Sequence, residues 1–362
     1  MVKMAVLEEV GAPLSILDLE LPEVGPNDVR VRVAAAGVCH SDLSFINGTV
    51  VSELPVVLGH EASGRIAEAG EYVTGLKVGD PVVLNWAPPC RECWFCANGE
   101  PWLCSTVERV GTSAPYTKTA DGRTVHQALG VGAFAEEVVL PAHAVVPIPD
   151  GMDPSHAALL GCAVLTGVGA AVNTAQVKAD ETVLVVGLGG IGLSAIAGAR
   201  LAGASKIIAA DVSDAKRGFA MAMGATDFVI STGSLPKEVR ALTDGRGADH
   251  AFECVGLSTT MKTAWKATRR GGACTVVGVG RKDDELSLSA MEIFHFNRTL
   301  RSSVFGSSDP ERDIPAMVDR IVAGQLDLEP MISHRLGLDE LADGFARMGR
   351  SEGARSVIVM DT

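Results

Sequence analysis

Four cysteines fall close together in this chain, Cys90, Cys93, Cys96 and Cys104, in the pattern C-x2-C-x2-C-x7-C. Pro88, Pro89, Gly99 and Pro101 punctuate the same segment, so turns rather than a long helix or strand must carry the thiols. Four thiolates so close can surround one tetrahedral zinc, whose sulfur bonds of about 2.3 Å make a closed site with no corner left for a substrate. An iron–sulfur cluster takes the same four ligands. As a zinc site the set is structural; unrelated thiols are the remaining reading.

A second set is dispersed: Cys39 in GVCHSD, His60 and Glu61 in GHE, and Cys162 in LLGC. Each alone reads as an ordinary core or surface residue. Taken together, two cysteines and one histidine form a zinc-binding trio that leaves one position for water or substrate. That is a Lewis-acid centre rather than a staple.

A third constellation binds charge through backbone. Between Thr182 and Asp211 an apolar run turns through Gly187-Leu188-Gly189-Gly190-Ile191-Gly192, continues with helical periodicity to about Ala202, and ends in a second apolar run closed by Asp211. Gly187 permits the tight turn, Gly189 lets a pyrophosphate approach the backbone, and Gly192 lets helix and strand pack closely. The helix N-terminus attracts the phosphate charge. Asp211 would accept hydrogen bonds from the adenosine ribose and repel a 2′-phosphate, which favours NAD over NADP.

The elements that must position these residues divide the chain. Residues 1 to about 160 read as short strands with turn punctuation, a barrel-like β region: 29–35, 64–69, 81–84, 134–140 and 144–148. Residues 154–165 read as one helix, and 105–129 as a long polar surface excursion. From Thr182 strands alternate with helices, with later strands expected at 206–210, 227–230, 249–254, 272–279 and 299–304; six such strands make a doubly wound α/β sheet. A helix at 313–323 and a last helix and strand within 339–360 follow.

Composition narrows the function class. The chain has 362 residues, 47% hydrophobic and 21% charged, enough for about two domains with large cores. A net charge of −13 without a basic run argues against a nucleic-acid partner. The longest apolar tract, Val183–Ala199, is shorter than the roughly 20 residues a membrane span needs, so no membrane is expected. No basic and apolar leader follows Met1, and the expectation is a cytoplasmic protein whose eight cysteines serve metal before disulfides.

With GVCHSD, GHE, the four-cysteine lobe, LLGC, GLGGIG and the acidic strand end in this order, the chain resembles the zinc-dependent medium-chain alcohol dehydrogenases over essentially its whole length. The resemblance implies a GroES-like β-barrel catalytic domain from residues 1–162 and 305–362, with a structural zinc lobe at about 88–105. It implies a Rossmann NAD-binding domain from 163–304 and an active site in the cleft between the two. It also implies two zinc ions, one catalytic on Cys39, His60 and Cys162 and one structural on the four lobe cysteines. Glu61 matches a glutamate that approaches the catalytic metal, Asp42 the carboxylate that orients the ligand histidine, and Ser41 the hydroxyl that takes the alcohol's proton. Trp86 matches a wall of the substrate pocket. Thr166, Val277 and Val279 match positions beside the nicotinamide, and His40, Lys216 and Arg355 match contacts to the cofactor's phosphates or ribose. The first departure is Ser44, where many members carry the histidine that ends the proton relay; exit then runs through water or with help from His40.

The implied chemistry is hydride transfer between a primary alcohol, aliphatic or aromatic, and NAD, with zinc acidifying the alcohol. The LNW and ALGVGAFAE segments are also similar to a branch that holds thiol-dependent formaldehyde dehydrogenases, whose substrates are glutathione or mycothiol adducts; Arg109 is then the expected cationic anchor. A non-enzymatic NAD-binding role is the remote alternative. The long segment 105–133 resembles that of dimeric members, so a homodimer is expected.

Overall fold

The computed structural model describes residues 1–106 and 114–360. Arg109, the expected anchor for a thiol adduct, lies outside the described residues. The chain forms two compact units: Met1–Cys162 with Asp309–Asp319 and Ile332–Thr362, and Ala163–Ser308 with Arg320–Met331.

The first unit is built on two sheets. The strand Asp28–Gly37 is its spine, because Val29, Val31, Val33 and Ala35 alternate inward while Arg30 and Arg32 point out toward Glu68 and Glu137. It pairs antiparallel with Ala62–Ala69 along one edge, and with Glu137–Pro141 and then Arg355–Val359 along the other. The last strand of the chain therefore joins a sheet begun within its first forty residues. The helix His40–Ile46 leaves this strand directly, an element not anticipated in a region read as strands.

Two further expectations are corrected, and one more element went unread. The stretch 154–165 is not one helix but two, Pro154–Leu160 and Ala163–Gly169, with Gly161 and Cys162 in the turn between them. Within 105–129, the strands Ala114–Lys118 and Thr124–Gln127 form a hairpin that joins the five-stranded sheet, and Val125 and Gln127 are buried; the polar periphery masked an inward-facing pair. The strand Ile332–Leu336 also went unread, since only its parallel pairing with Arg355–Val359 makes Ser333-His334-Arg335 extended.

The second unit is a six-stranded parallel sheet. In chain order its strands are Thr182–Val186, Lys206–Asp211, Asp227–Ile230, Ala248–Glu253, Thr268–Val276 and Thr299–Ser302, and their spatial order is 3-2-1-4-5-6. That order is the Rossmann fold, and its topological switch point lies between the first and fourth strands. The helix Gly190–Leu201 is buried almost throughout because small residues line it. A side chain at Gly167, on the neighbouring helix, would sit 2.4 Å from the Ile191 carbonyl oxygen, so glycine is what lets the two helices touch. Among the described residues no single helix is long and apolar enough to cross a membrane.

Candidate metal and dinucleotide sites

Cys39, His60 and Cys162 are each under a tenth exposed, and their ligand atoms all lie within 4.8 Å of one another. Three separate local features bring them together. Cys39 directly precedes the helix His40–Ile46. His60 follows Gly59, whose φ of +96° and contact with the Phe134 backbone, 2.5 Å from where a Cβ would stand, admit only glycine. Cys162 sits in the break between the two helices, which Gly161 makes possible by passing close to the Leu84 carbonyl. The break is thus what delivers the third ligand.

Asp42, fully buried, fixes the histidine. Its Oδ1 accepts from the Gly59 N–H at 2.9 Å and from His60 Nδ1 at 3.2 Å. His60 Nε2 is left buried without a hydrogen-bond partner beside two sulfurs. Burial opposes charge on this imidazole, yet the Asp42 carboxylate and the Cys39 sulfur raise its pKa to about 10. Cys39 in turn is held well below the usual thiol range, first by the Cys162 thiol and then by the His60 charge. A metal entering here displaces protons, as zinc does on binding cysteine and histidine. A donor set of two sulfurs and one oriented imidazole nitrogen fits zinc with one open corner.

Asp42→Asn should lower zinc affinity of this trio about 10- to 100-fold, because the amide no longer anchors the Nδ1 proton by charge. Chelator competition on the purified protein measures it, with the lobe's zinc as the internal reference.

Around the trio, the Ser41 hydroxyl lies 3.8 Å from the Cys39 sulfur. The Trp86 ring meets His60 edge-on at 6.5 Å between centroids, so an apolar wall adjoins the ligand set. Glu61 is fully buried and pairs with Arg355, itself only 6% exposed. The Glu61–Arg355 pair went unread in the sequence, where 294 residues separate the partners. Gly37 makes room for it: a Cβ there would stand 2.7 Å from a Glu61 oxygen.

The lobe cysteines form a second cluster with all four sulfurs within 4.8 Å. Cys93 and Cys104 sulfurs are 3.9 Å apart, far beyond a disulfide of about 2.05 Å and matching the roughly 3.8 Å edge of a zinc–thiolate tetrahedron. The N–H groups of Cys90 and Cys93 donate to the sulfurs of Cys104 and Cys90 at 3.2 and 3.3 Å, the support a thiolate cluster needs. The Thr106 hydroxyl and nearby backbone N–H groups hold Cys90 down to about 6, whereas burial pushes Cys96 up to about 12.

In the second unit Gly187 adopts φ +90°, and a Cβ on Gly192 would stand 1.9 Å from the Gly187 carbonyl oxygen. Nothing lies within 4 Å of a Cβ on Gly189, the position that must face a pyrophosphate. Gly190 and Ile191 open the helix whose N-terminus closes this cradle. Asp211 accepts from the Leu188 N–H at 2.8 Å and the Ser213 N–H at 3.0 Å, so it also ties the glycine turn to its own strand, a role unread in the sequence. Lys216 is buried beside it rather than a solvated surface charge; burial lowers its pKa and Asp211 opposes that shift. Thr166 and Val277 are buried, Val279 is 83% exposed, and His40 lies at the surface of the first unit.

Comparison with known proteins agrees with this geometry. Residues 25–150 match the alcohol dehydrogenase GroES-like domain and residues 190–323 match the zinc-binding dehydrogenase domain. The S-(hydroxymethyl)glutathione dehydrogenase of Escherichia coli (strain SMS-3-5 / SECEC) is 36% identical over 358 residues, covering 96% of each chain. The crystal structure of benzyl alcohol dehydrogenase from Acinetobacter calcoaceticus superposes with a TM-score of 0.93 at 27% identity over 99% of both chains. A solved chain from Sinorhizobium meliloti 1021, bound to NADP, superposes at 0.83 with 28% identity over 99% of both chains. With two zinc-ligand sets and a nicotinamide-dinucleotide cradle on one chain, this protein belongs to the zinc-dependent medium-chain alcohol dehydrogenase family.

Proposed function

We propose that the protein is an NAD-dependent dehydrogenase of primary alcohols and their aldehydes, aliphatic or aromatic. The observation that carries the substrate reading is Trp86, whose ring stands against His60 and gives the open metal corner an apolar wall. Zinc held by Cys39, His60 and Cys162 would supply a Lewis acid that acidifies the alcohol, and a bound nicotinamide would supply the hydride acceptor. Ser41 takes the alcohol's proton, being held at the start of its helix within 3.8 Å of Cys39 Sγ. The Ser44 hydroxyl is turned back onto the His40 carbonyl at 3.0 Å, so it extends no relay, and the proton leaves through water or by way of His40.

In this reading the backbone of Gly187, Gly189, Gly190, Ile191 and Gly192 receives the pyrophosphate, and Asp211 accepts from the ribose hydroxyls, excluding a 2′-phosphate. Lys216 and His40 serve the ribose and phosphates. Arg355, which pairs with Glu61 through Nη2, serves the cofactor's phosphates or ribose as well. Thr166, Val277 and Val279 seat the nicotinamide. The thiols that both ligand sets need reduced fit a cytoplasmic protein.

The second reading, oxidation of a formaldehyde–thiol adduct, is supported by relatives named S-(hydroxymethyl)glutathione dehydrogenase. NADH formation with short, long and aromatic primary alcohols, beside formaldehyde with and without glutathione or mycothiol, separates the two. Turnover of free alcohols supports the first reading; turnover of formaldehyde only with a thiol replaces it with the second. A dehydrogenase inactive on both sets refutes both.

A homodimer is part of the proposal. The helix Ala290–Phe296 exposes Met291 (70%) and Phe294 (85%), and the adjoining strand Thr299–Ser302 is a sheet edge with Leu300 41% exposed. Apolar side chains beside an unpaired edge are what a partner copy would cover. Light scattering should return twice the 37.6 kDa chain mass, and Phe294→Glu should shift it toward one.

A further inference from the structure

Glu253 is a fully buried carboxylate that the chemistry above does not use. It ends the strand Ala248–Glu253, next to the topological switch point. Oε1 accepts from the Val255 N–H at 3.0 Å, the Gly256 N–H at 2.9 Å and the Thr260 hydroxyl at 2.6 Å; Oε2 lies 3.2 Å from the Gly256 nitrogen. A charge out of water is tolerated only when donors surround it, and here backbone and hydroxyl donors do so. The result is an oriented nest that dictates the turn 254–256.

That turn touches both halves of the dinucleotide cradle. A Cβ on Gly187 would stand 2.4 Å from Val255 Cγ2, so the pyrophosphate turn rests directly on it. The Cys254 N–H donates to the Val186 carbonyl at 2.8 Å, immediately before that turn. On the other side, the Glu253 carbonyl accepts from the N–H groups of Val277 and Gly278 at 2.8 and 3.0 Å. Gly256 and Gly278 pass so close that a Cβ on Gly278 would stand 2.2 Å from the Gly256 nitrogen, and one on Gly256 would stand 2.3 Å from the Val279 carbonyl oxygen. Neither contact leaves slack.

We propose that Glu253 is a positioning residue for the cofactor: its buried carboxylate sets the 254–256 turn that holds the pyrophosphate turn at Gly187 and the 277–279 segment in register. The inference rests on the dinucleotide reading of this unit. Without the carboxylate, the buried Gly256 N–H loses its full acceptor, and the tight stack against Gly278 relaxes.

The test is binding of NADH and of ADP-ribose to Glu253→Gln and Thr260→Val, with zinc content and thermal midpoint measured alongside. The glutamine carbonyl oxygen can keep the contacts made by Oε1, but its amide turns an N–H donor toward the Gly256 N–H at the Oε2 position and the charge is lost. Glu253→Gln should weaken NADH about tenfold, weaken ADP-ribose less because that ligand does not reach 277–279, and leave zinc content unchanged. Thr260→Val should weaken NADH in the same direction by a smaller factor. NADH affinity within about twofold of the parent in Glu253→Gln overturns the inference, as do equal losses for both ligands. If Glu253→Gln does not fold, unchanged NADH affinity in Thr260→Val overturns it. A parent protein that binds neither ligand refutes the dinucleotide reading itself, and the inference falls with it.

Discussion

Replacing Cys39 with serine should remove one zinc per chain and nearly all turnover while the lobe keeps its metal. The reason lies in the donor. Within the trio the Cys39 sulfur is biased toward thiolate by the Cys162 thiol and by the His60 charge. A serine hydroxyl at the same place is a harder and far less acidic donor, and a site that otherwise offers one thiol and one imidazole retains zinc poorly. Loss of the Lewis acid removes several kcal/mol of transition-state stabilisation, so activity should drop by at least about 1,000-fold. The site is buried, yet serine is smaller than cysteine and Asp42 still holds His60, so the fold should survive. Metal analysis reads the outcome together with the alcohol assay. One zinc retained per chain with turnover gone is the expected pair. Full turnover would mean that the reaction does not run at this trio, and loss of both metals would mean that the first unit had unfolded instead.

The zinc ligands were legible because each lies in a short motif whose residue types have few other joint uses. The four lobe cysteines were marked as one ligand set by their spacing, and Gly187, Gly189 and Gly192 by their seat between two apolar runs. What the sequence hid depends on contacts made over long separations. Residues 154–165 carry a continuous helical pattern, and only the approach of Gly161 to the Leu84 carbonyl accounts for the break that turns Cys162 toward His60. The strand Ile332–Leu336 has too little hydrophobic alternation to announce itself, and it is extended because Arg355–Val359 pairs with it. The same applies to Arg355, whose buried partner Glu61 stands 294 residues away in the chain. Buried polar residues are the least legible class. Glu253 looks like the acidic end of a strand, and its role depends on backbone donors that no side-chain pattern reveals.

Two glycines of one turn should respond to alanine in opposite ways. In Gly192→Ala the new methyl would stand 1.9 Å from the Gly187 carbonyl oxygen, with the Val185 side chain at 3.5 Å behind it. Backbone has to move, because neither group is the free end of a flexible chain. Forcing a methyl into a packed position costs about 1–3 kcal/mol, which lowers the thermal midpoint by roughly 2–12 °C in a unit of this size. In Gly189→Ala the methyl meets nothing within 4 Å, and the residue's φ of −79° is open to alanine. The fold should be untouched and the thermal midpoint unchanged. The space that the methyl enters is nevertheless the approach reserved for the pyrophosphate, so NADH affinity should fall about tenfold or more for the loss of close backbone contact. Thermal melts with and without NADH separate the two effects. Gly192→Ala melts early in either condition, whereas Gly189→Ala melts normally alone and loses the upward shift that NADH gives the parent. If Gly189→Ala binds NADH as the parent does, the pyrophosphate does not lie on this turn.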